Sequence, residues 1–298
     1  MKLLVTGAWN CTAEQLNSIK TLGHEIVFMQ NEKDECPAPY EDIEGIIGNG
    51  IFLYHPIERF SSLRYIQLTS AGYDRVDMEY VNSHNIQIHN ARGVYSIPMA
   101  EYALWGALQL SKRGSAFAEN QKAHKWIKYR DISELYGKSV CIIGCGNVGT
   151  ECAKRFGAMG CKVYGVDIVS FDSDYYTTIF TLSDIKSAVG DADYVVLTLP
   201  LTDESRYLIN DDILSAMKEN TIIINISRGG VINTSHLIKA LVEKRIGGAV
   251  LDVFEDEPLS EDSPLWDMDN VIVTPHNSFV GDGNGDRLYK VIMENLGK

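Results

Sequence analysis

The sequence has 298 residues, of which 40 are acidic and 27 are lysine or arginine, giving a formal net charge of −13. This length favours two domains over a single hydrophobic core. No run reaches the ~20 apolar residues of a membrane-spanning helix, and the opening "MKLLVTGAW" becomes polar too soon for a signal peptide. Basic residues form no cluster, so we expect a chain that binds neither nucleic acid nor an anionic membrane.

The first hundred residues alternate short β-branched runs with helix-like stretches such as "TAEQLNSIKTL". Strands separated by helices are typical of parallel βαβ architecture. The strands predicted in this part are "KLLVTG", "HEIVFM", "GIIG", "RYIQLT" and "IQIHN".

A long apolar stretch then predicts one helix from about Pro98 to Lys122, with proline well placed in its first turn. Its part "AEYALWGALQL" carries more apolar and aromatic residues than one buried face needs. We therefore expect this helix to contact a second copy of the chain.

From Ser139 the alternation of strands and helices becomes more regular. The continuous apolar strands indicate burial on both faces, as in a doubly wound parallel sheet. The predicted strands are "SVCIIG", "KVYGVD", "DYVVLTL", "TIIINIS", "GAVLDVF" and "NVIVT", and the helices include "NVGTECAKRFGAM", "DDILSAMK", "SHLIKALVEK" and "RLYKVIMENL". The pattern predicts two α/β domains, of which residues 98–276 form the more regular one.

The turn after "SVCIIG" carries Gly144, Gly146 and Gly149 in the spacing GxGxxG. The first glycine permits a tight turn, the second lets the backbone approach a pyrophosphate, and the third lets helix and strand pack closely. The spacing alone is a weak signal, but here it lies between an apolar strand and a helix. We therefore predict a dinucleotide-binding turn.

Three neighbouring residues refine this prediction. The amides of Asn147 and Val148 lie at the predicted helix N-terminus, where partial positive charge favours phosphate. Asp167 ends the next strand, 18 residues after the last glycine, and can accept hydrogen bonds from the adenosine ribose. Because a carboxylate there repels a 2′-phosphate, we expect NAD as the cofactor.

Polar residues follow three later strands of the same predicted sheet. Arg228 follows "TIIINIS", Glu257 lies in the acidic loop after "GAVLDVF", and His276 follows "NVIVT". Singly, they could be an ion-pair partner, a solvated loop acid and a core histidine. Parallel strands bring their carboxyl ends to one edge, where the three together supply an anion clamp, an orienting carboxylate and a proton carrier.

The six cysteines contain no CxxC pair, although four fall within residues 141–161. We predict small buried residues in a reduced cytoplasm and no metal site. The positions are Cys11, Cys36, Cys141, Cys145, Cys152 and Cys161.

Through its ordered motifs, nearly the whole chain resembles the D-isomer-specific 2-hydroxyacid dehydrogenase family, which includes phosphoglycerate, glyoxylate/hydroxypyruvate and D-lactate dehydrogenases. The motifs are "LTSAGYDRVD", "IPMAEYAL", "GCGNVG", "LPLTDESRYLI", "NISRGGVIN", "LDVFEDEP" and "TPHNS". The resemblance implies two doubly wound α/β domains. A Rossmann dinucleotide-binding domain, residues 98–276, is inserted in a flavodoxin-like substrate domain made of residues 1–97 and completed by residues 277–298. It also implies a two-fold homodimer through the long helix.

The resemblance further implies hydride transfer between NAD and a small 2-oxo or D-2-hydroxy acid. It assigns Arg228 as the clamp on the substrate carboxylate and carbonyl, and His276–Glu257 as the acid–base pair. The backbone at Ala71 and Gly72 matches the loop that holds the substrate carboxylate. The other implied cofactor-binding positions are Pro200, Ser205, Ile226, Ser227, Arg228, His276 and Asp252, the last facing the nicotinamide carboxamide.

Two departures from the family pattern stand out. Tyr95 replaces a smaller polar residue of many relatives, which leaves the substrate size open, and Ser205 replaces the usual threonine. Two other functions stay open at this point. A formate dehydrogenase has a similar fold but no use for the pair His276–Glu257, whereas a dinucleotide-sensing regulatory or scaffold protein could keep every residue named above.

Overall fold

A computed structural model describes residues 1–297 of the chain. The chain forms two compact units, one made of Met1–Tyr95 and the segment that begins at Gly281, the other of Ser96–Val280. Each unit contains one sheet, and all the strand pairs in both sheets are parallel. This is the α/β class that the alternation of strands and helices predicted.

The first unit contains a five-stranded sheet. Its elements are β1 (Lys2–Thr6), α1 (Ala13–Thr21), β2 (Glu25–Met29), β3 (Gly45–Gly48), β4 (Tyr65–Leu68), α2 (Met78–Ser83) and β5 (Gln87–His89). The strand order is β2-β1-β3-β4-β5. A capping box starts α1, because Thr12 and Gln15 each accept a hydrogen bond from the other's backbone amide.

The last helix, Asn284–Leu296, belongs to the same unit. It buries Leu288 and Ile292 in a cluster that also contains Leu3 and Val5 of β1. Residues from the two ends of the chain therefore share one hydrophobic core.

The second unit is built on a seven-stranded sheet. Its elements are α3 (Ser96–Ser111), α4 (Gly114–Lys122), β6 (Ser139–Ile143), α5 (Asn147–Ala158), β7 (Lys162–Asp167), β8 (Thr178–Thr181), α6 (Ile185–Gly190), β9 (Tyr194–Leu197), α7 (Asp211–Ala216), β10 (Ile222–Asn225), α8 (Thr234–Val242), β11 (Gly248–Leu251) and β12 (Val271–Val273). The strand order is β12-β11-β10-β9-β6-β7-β8. The succession reverses at β6, and in open α/β sheets ligands bind at the carboxyl edge beside such a switch point.

All strands predicted from the sequence are present, several of them shorter than predicted. The elements that the sequence did not reveal are short: the edge strand β8 and the six-residue helices α2 and α6. A helix of six residues shows less than two turns of periodicity, so its apolar spacing gives little signal.

The single helix predicted from Pro98 to Lys122 was wrong, because the structure has two helices there. Arg113 lies between α3 and α4 with a left-handed φ of 55°, a conformation that interrupts a right-handed helix. Pro98 is the third residue of α3, where its missing amide is one of four that lack partners anyway. No helix within residues 1–297 is long and apolar enough to cross a membrane.

Candidate active site

The turn from β6 into α5 depends on two of its three glycines. Gly144 has a φ of 97°, and a Cβ there would lie 2.8 Å from the amide nitrogen of Leu199. A Cβ on Gly149 would lie 2.1 Å from the carbonyl oxygen of Gly144, so only glycine lets α5 approach the turn so closely. Gly146 caps α5, and a Cβ there would meet only open space. A phosphate group therefore has room to reach the first amides of the helix.

Asp167 ends β7 with its carboxylate against this turn. Its Oδ2 accepts a hydrogen bond from the Cys145 amide at 2.7 Å, and its Oδ1 accepts one from the Ile168 amide at 2.7 Å. Each carboxylate oxygen keeps a further lone pair for a ligand hydroxyl. Burial raises the pKa of the Cys145 thiol to about 12, so this thiol stays protonated. The acid and the turn lie together, where we expect the ribose and pyrophosphate of a dinucleotide to bind.

Other positions implied for the cofactor follow β9 and β10. The Ser205 hydroxyl donates to the Pro200 carbonyl at 2.7 Å and accepts from the Thr202 amide at 2.7 Å. Ile226 and Ser227 are buried directly after β10. Because the Ser205 hydroxyl is engaged within its own loop, this residue shapes the loop that Pro200 begins.

A short loop after β10 carries Arg228. Asn225 holds it, since its Oδ1 accepts from the Ser227 amide at 3.1 Å and its Nδ2 donates to the Arg228 carbonyl at 3.0 Å. A Cβ on Gly229 would lie 1.8 Å from the carbonyl carbon of Phe254, so the loops after β10 and β11 meet backbone to backbone. Arg228 is thereby positioned at the carboxyl edge beside the loop that contains the predicted acid.

His276 and Glu257 form a direct pair. The imidazole Nδ1 lies 2.8 Å from Glu257 Oε2, while Glu257 Oε1 accepts from the Phe254 amide at 3.1 Å. The two side chains are 39% and 38% exposed, so a ligand can reach the imidazole. The Phe279 ring meets the imidazole edge-on, with ring centroids 6.0 Å apart. A carboxylate on Nδ1 fixes the ring and directs Nε2 outward, which suits a proton carrier.

Asp252 anchors the loop that carries His276. Its fully buried carboxylate accepts from the Thr274 hydroxyl at 2.7 Å, the Asn277 amide at 2.8 Å and the Ser278 amide at 2.8 Å. Between these donors, His276 adopts a left-handed φ of 51°. These bonds hold the residues on both sides of His276 and so position its imidazole. A contact of Asp252 with the nicotinamide carboxamide stays a prediction.

In the first unit, the loop after β4 directs its carbonyl groups into the protein. The carbonyl oxygens of residues 69–72 accept, in order, from the Tyr95 hydroxyl, the Ala91 amide at 2.8 Å, the Asn90 side chain at 2.6 Å and the Ser70 hydroxyl at 3.1 Å. The amides of Ala71 and Gly72 have no hydrogen-bond acceptor among residues 1–297. We expect two consecutive amides of this kind to suit an oxyanion such as a carboxylate.

Sequence reasoning missed two residues that shape these loops, Asn90 and Asn225. Each lies at or just after the end of a strand and binds the backbone of a neighbouring loop through its side chain. Asparagine is uncommon in strands, so its position at a strand end was the available signal. Tyr95 was noted only for its size, whereas its hydroxyl holds the Thr69 carbonyl and burial raises its pKa.

The glycine turn at the switch point, the acid of β7 and the polar residues at the same edge define a dinucleotide-binding α/β protein equipped for proton transfer. Residues 104–278 match the family described as "D-isomer specific 2-hydroxyacid dehydrogenase, NAD binding domain". The chain belongs to this family, as its ordered motifs predicted, and its cofactor is a nicotinamide dinucleotide.

This chain matches different shares of the length of its relatives. The D-3-phosphoglycerate dehydrogenase of Methanocaldococcus jannaschii is 35% identical over 222 residues, which are 74% of this chain and 42% of that protein. Glyoxylate/hydroxypyruvate reductase HPR3 of Arabidopsis thaliana is 31% identical over 243 residues, 80% of this chain and 74% of that one. A solved D-isomer specific 2-hydroxyacid dehydrogenase family protein from Aeromonas salmonicida is 27% identical, with a TM-score of 0.85 over 99% of this chain and 94% of its own. The likeness of fold therefore extends over both units.

Proposed function

We propose that the protein interconverts a small 2-oxo acid and the corresponding D-2-hydroxy acid, with NAD as its cofactor. The second unit binds the dinucleotide, and the first unit with its returning segment binds the substrate. The observation that carries the proposal is the 2.8 Å contact between His276 Nδ1 and Glu257 Oε2. It lies at the carboxyl edge of the sheet that also carries the glycine turn, so a proton carrier and a hydride carrier serve one reaction.

In this mechanism the chain supplies anion binding and proton transfer. The family's motifs assign the substrate carboxylate to the amides of Ala71 and Gly72 and to Arg228. A planar guanidinium can reach a second oxygen at the same time, so Arg228 polarises the ketone as well. Positive charge placed beforehand at the developing alkoxide lowers the barrier.

The proton moves through His276. In the reducing direction the imidazolium gives its Nε2 proton to the ketone oxygen, and in the oxidising direction the neutral ring takes a proton from the hydroxyl. Glu257 holds the ring at Nδ1. The bound dinucleotide supplies the hydride in reduction and accepts it in oxidation.

A substrate panel tests this proposal. Purified protein is mixed with NADH and, separately, with NADPH, and their oxidation is followed with glyoxylate, pyruvate, hydroxypyruvate and longer 2-oxo acids. Turnover of at least one of them supports the enzyme. Tight dinucleotide binding without any turnover would instead favour the sensing or scaffold protein.

The same assay tests the cofactor preference that Asp167 predicts. Its carboxylate accepts from ribose hydroxyls and repels a 2′-phosphate, so we expect a strong preference for NADH. Asp167→Ser should narrow the preference for NADH over NADPH, mainly by improving kcat/KM with NADPH. Asp172→Ser, which replaces an exposed acid, is the control and should leave the preference unchanged. Equal use of both cofactors by the unmodified protein would contradict this role.

We further propose that the enzyme acts as a homodimer in the cytoplasm. Large apolar side chains exposed along α3, α4 and the following segment support the dimer. The cysteines support a reducing compartment, since all six are free thiols.

A further inference from the structure

A pair of consecutive backbone amides, here called the nest, lies at the carboxyl edge of the first unit, and the Glu32 side chain fills it. Glu32 follows β2 by three residues. Its Oε1 accepts from the Thr6 hydroxyl at 2.8 Å and from the Asn49 amide at 2.6 Å, and its Oε2 accepts from the Gly50 amide at 2.7 Å. The donors come from the ends of β1 and β3, so the carboxylate joins three adjacent strand ends.

The loop after β3 is built around this carboxylate. A Cβ on Gly48 would lie 2.8 Å from Glu32 Oε1, so a larger residue there would displace the acid. Successive backbone amides attract an oxyanion, and Glu32 already uses both the Asn49 and the Gly50 amide.

The filled nest is next to the loop proposed to bind the substrate carboxylate. The Thr69 amide donates to the Gly48 carbonyl at 2.8 Å, which ties the ends of β4 and β3 together. Glu32, Leu53 and Arg75 all approach Gly50. A Cβ built on Gly50 would lie 3.5 Å from Glu32 Oε2, 3.4 Å from Leu53 Cδ1 and 3.6 Å from Arg75 Cδ. Arg75 belongs to the loop that begins with Ala71, so Glu32 lies beside that loop.

We propose that Glu32 is a specificity-determining residue that excludes substrates with a second anionic group, so that the enzyme takes 2-oxo acids with a small uncharged side chain. The proposal rests on the function proposed above. Glu32 acts in two ways: it consumes the amide donors that a phosphate or second carboxylate would need, and it adds a like charge where that group would lie. Leu53, which is 62% exposed, offers an apolar contact to an uncharged side chain.

Arg75 is the rival feature on the same loop, because a guanidinium could attract a distal anion. It is exposed to solvent, whereas Glu32 is half-buried and fixed by three hydrogen bonds. Water screens the exposed cation more than the held carboxylate. We therefore expect Glu32 to decide the outcome, and the test includes Arg75.

The test compares hydroxypyruvate with 3-phosphohydroxypyruvate, two substrates that differ by one phosphoryl group. The unmodified enzyme should favour hydroxypyruvate by about 100-fold or more in kcat/KM. Glu32→Ala vacates the nest, and the ratio of kcat/KM for the phosphorylated over the neutral substrate should rise at least about 10-fold. Inorganic phosphate should also become a stronger competitive inhibitor of the variant. Glu35→Gln, which removes an exposed charge nearby in the chain, should leave the ratio unchanged.

Glu32→Gln serves as a second variant should Glu32→Ala fail to fold, because it removes the charge and keeps the side-chain length. Equal kcat/KM for both substrates in the unmodified enzyme would overturn the proposal. If Arg75→Ala then lost activity with 3-phosphohydroxypyruvate, the anion site would be assigned to Arg75. An unchanged ratio in both Glu32 variants would overturn it too. Failure to turn over any 2-oxo acid would instead contradict the proposed function itself, and the inference with it.

Discussion

At the scale of single residues, Arg228 is held by short-range geometry. The Asn225 side chain binds the backbone of both Ser227 and Arg228, and Gly229 lets the next loop approach. We expect Arg228→Lys to lose about 10²-fold or more in kcat/KM, because lysine keeps the charge but cannot grip two oxygens with a planar fork. Steady-state kinetics measures this loss. Arg245→Lys is the control, since Arg245 forms surface ion pairs with Asp211 and Glu243; normal kinetics in both variants would reduce Arg228 to a structural role.

His276 gives a prediction with a defined sign. Reduction needs imidazolium, so its kcat/KM should fall as pH rises and the ring loses its proton. Oxidation needs the neutral ring, so its kcat/KM should rise over the same interval. pH profiles measured in both directions check this.

The control for that experiment is cofactor binding. His276→Ala should remove most activity and leave NADH binding, followed by fluorescence, largely intact, because the glycine turn and Asp167 are untouched. A histidine with only a structural role would give an unstable variant whose folded fraction keeps normal activity.

At the scale of elements, the loop after β12 depends on one buried acid. Asp252 takes three donors from residues on both sides of His276, and an asparagine would face one of those N–H groups with its own NH2. We expect Asp252→Asn to cost about 1–3 kcal/mol of stability and to lower kcat because the imidazole loses its position. Thermal unfolding and kinetics measure the two effects. Asp269→Asn, at an exposed acid, is the control. An unchanged Tm in Asp252→Asn would show that the three hydrogen bonds to Asp252 contribute nothing to stability.

The elements also show what a sequence can reveal. Continuous apolar strands such as "SVCII" and "YVVL" were predictable because burial on both faces leaves a simple pattern. The glycine turn was predictable because only glycine satisfies its steric limits. The break at Arg113 was not, since a left-handed arginine has no compositional mark. The Glu32 nest was hidden for another reason: two of its three donors are backbone amides 17 and 18 residues further along the chain, and the third is the Thr6 hydroxyl.

At the scale of the whole molecule, the second unit exposes several large apolar side chains within one stretch of the sequence. From α3 to the start of β6 they are Trp105, Phe117, Trp126, Ile127 and Tyr136, with Trp126 93% exposed. We therefore predict a dimer in solution, twice the 33.2 kDa of one chain, which sedimentation at micromolar concentration would detect. In a two-fold interface each substitution acts twice, so Trp126→Glu should shift the protein toward monomer. Val242→Glu, at the exposed end of α8, should leave the mass unchanged. A monomeric mass for the unmodified protein would rule out this interface and leave the exposed tryptophan without a role.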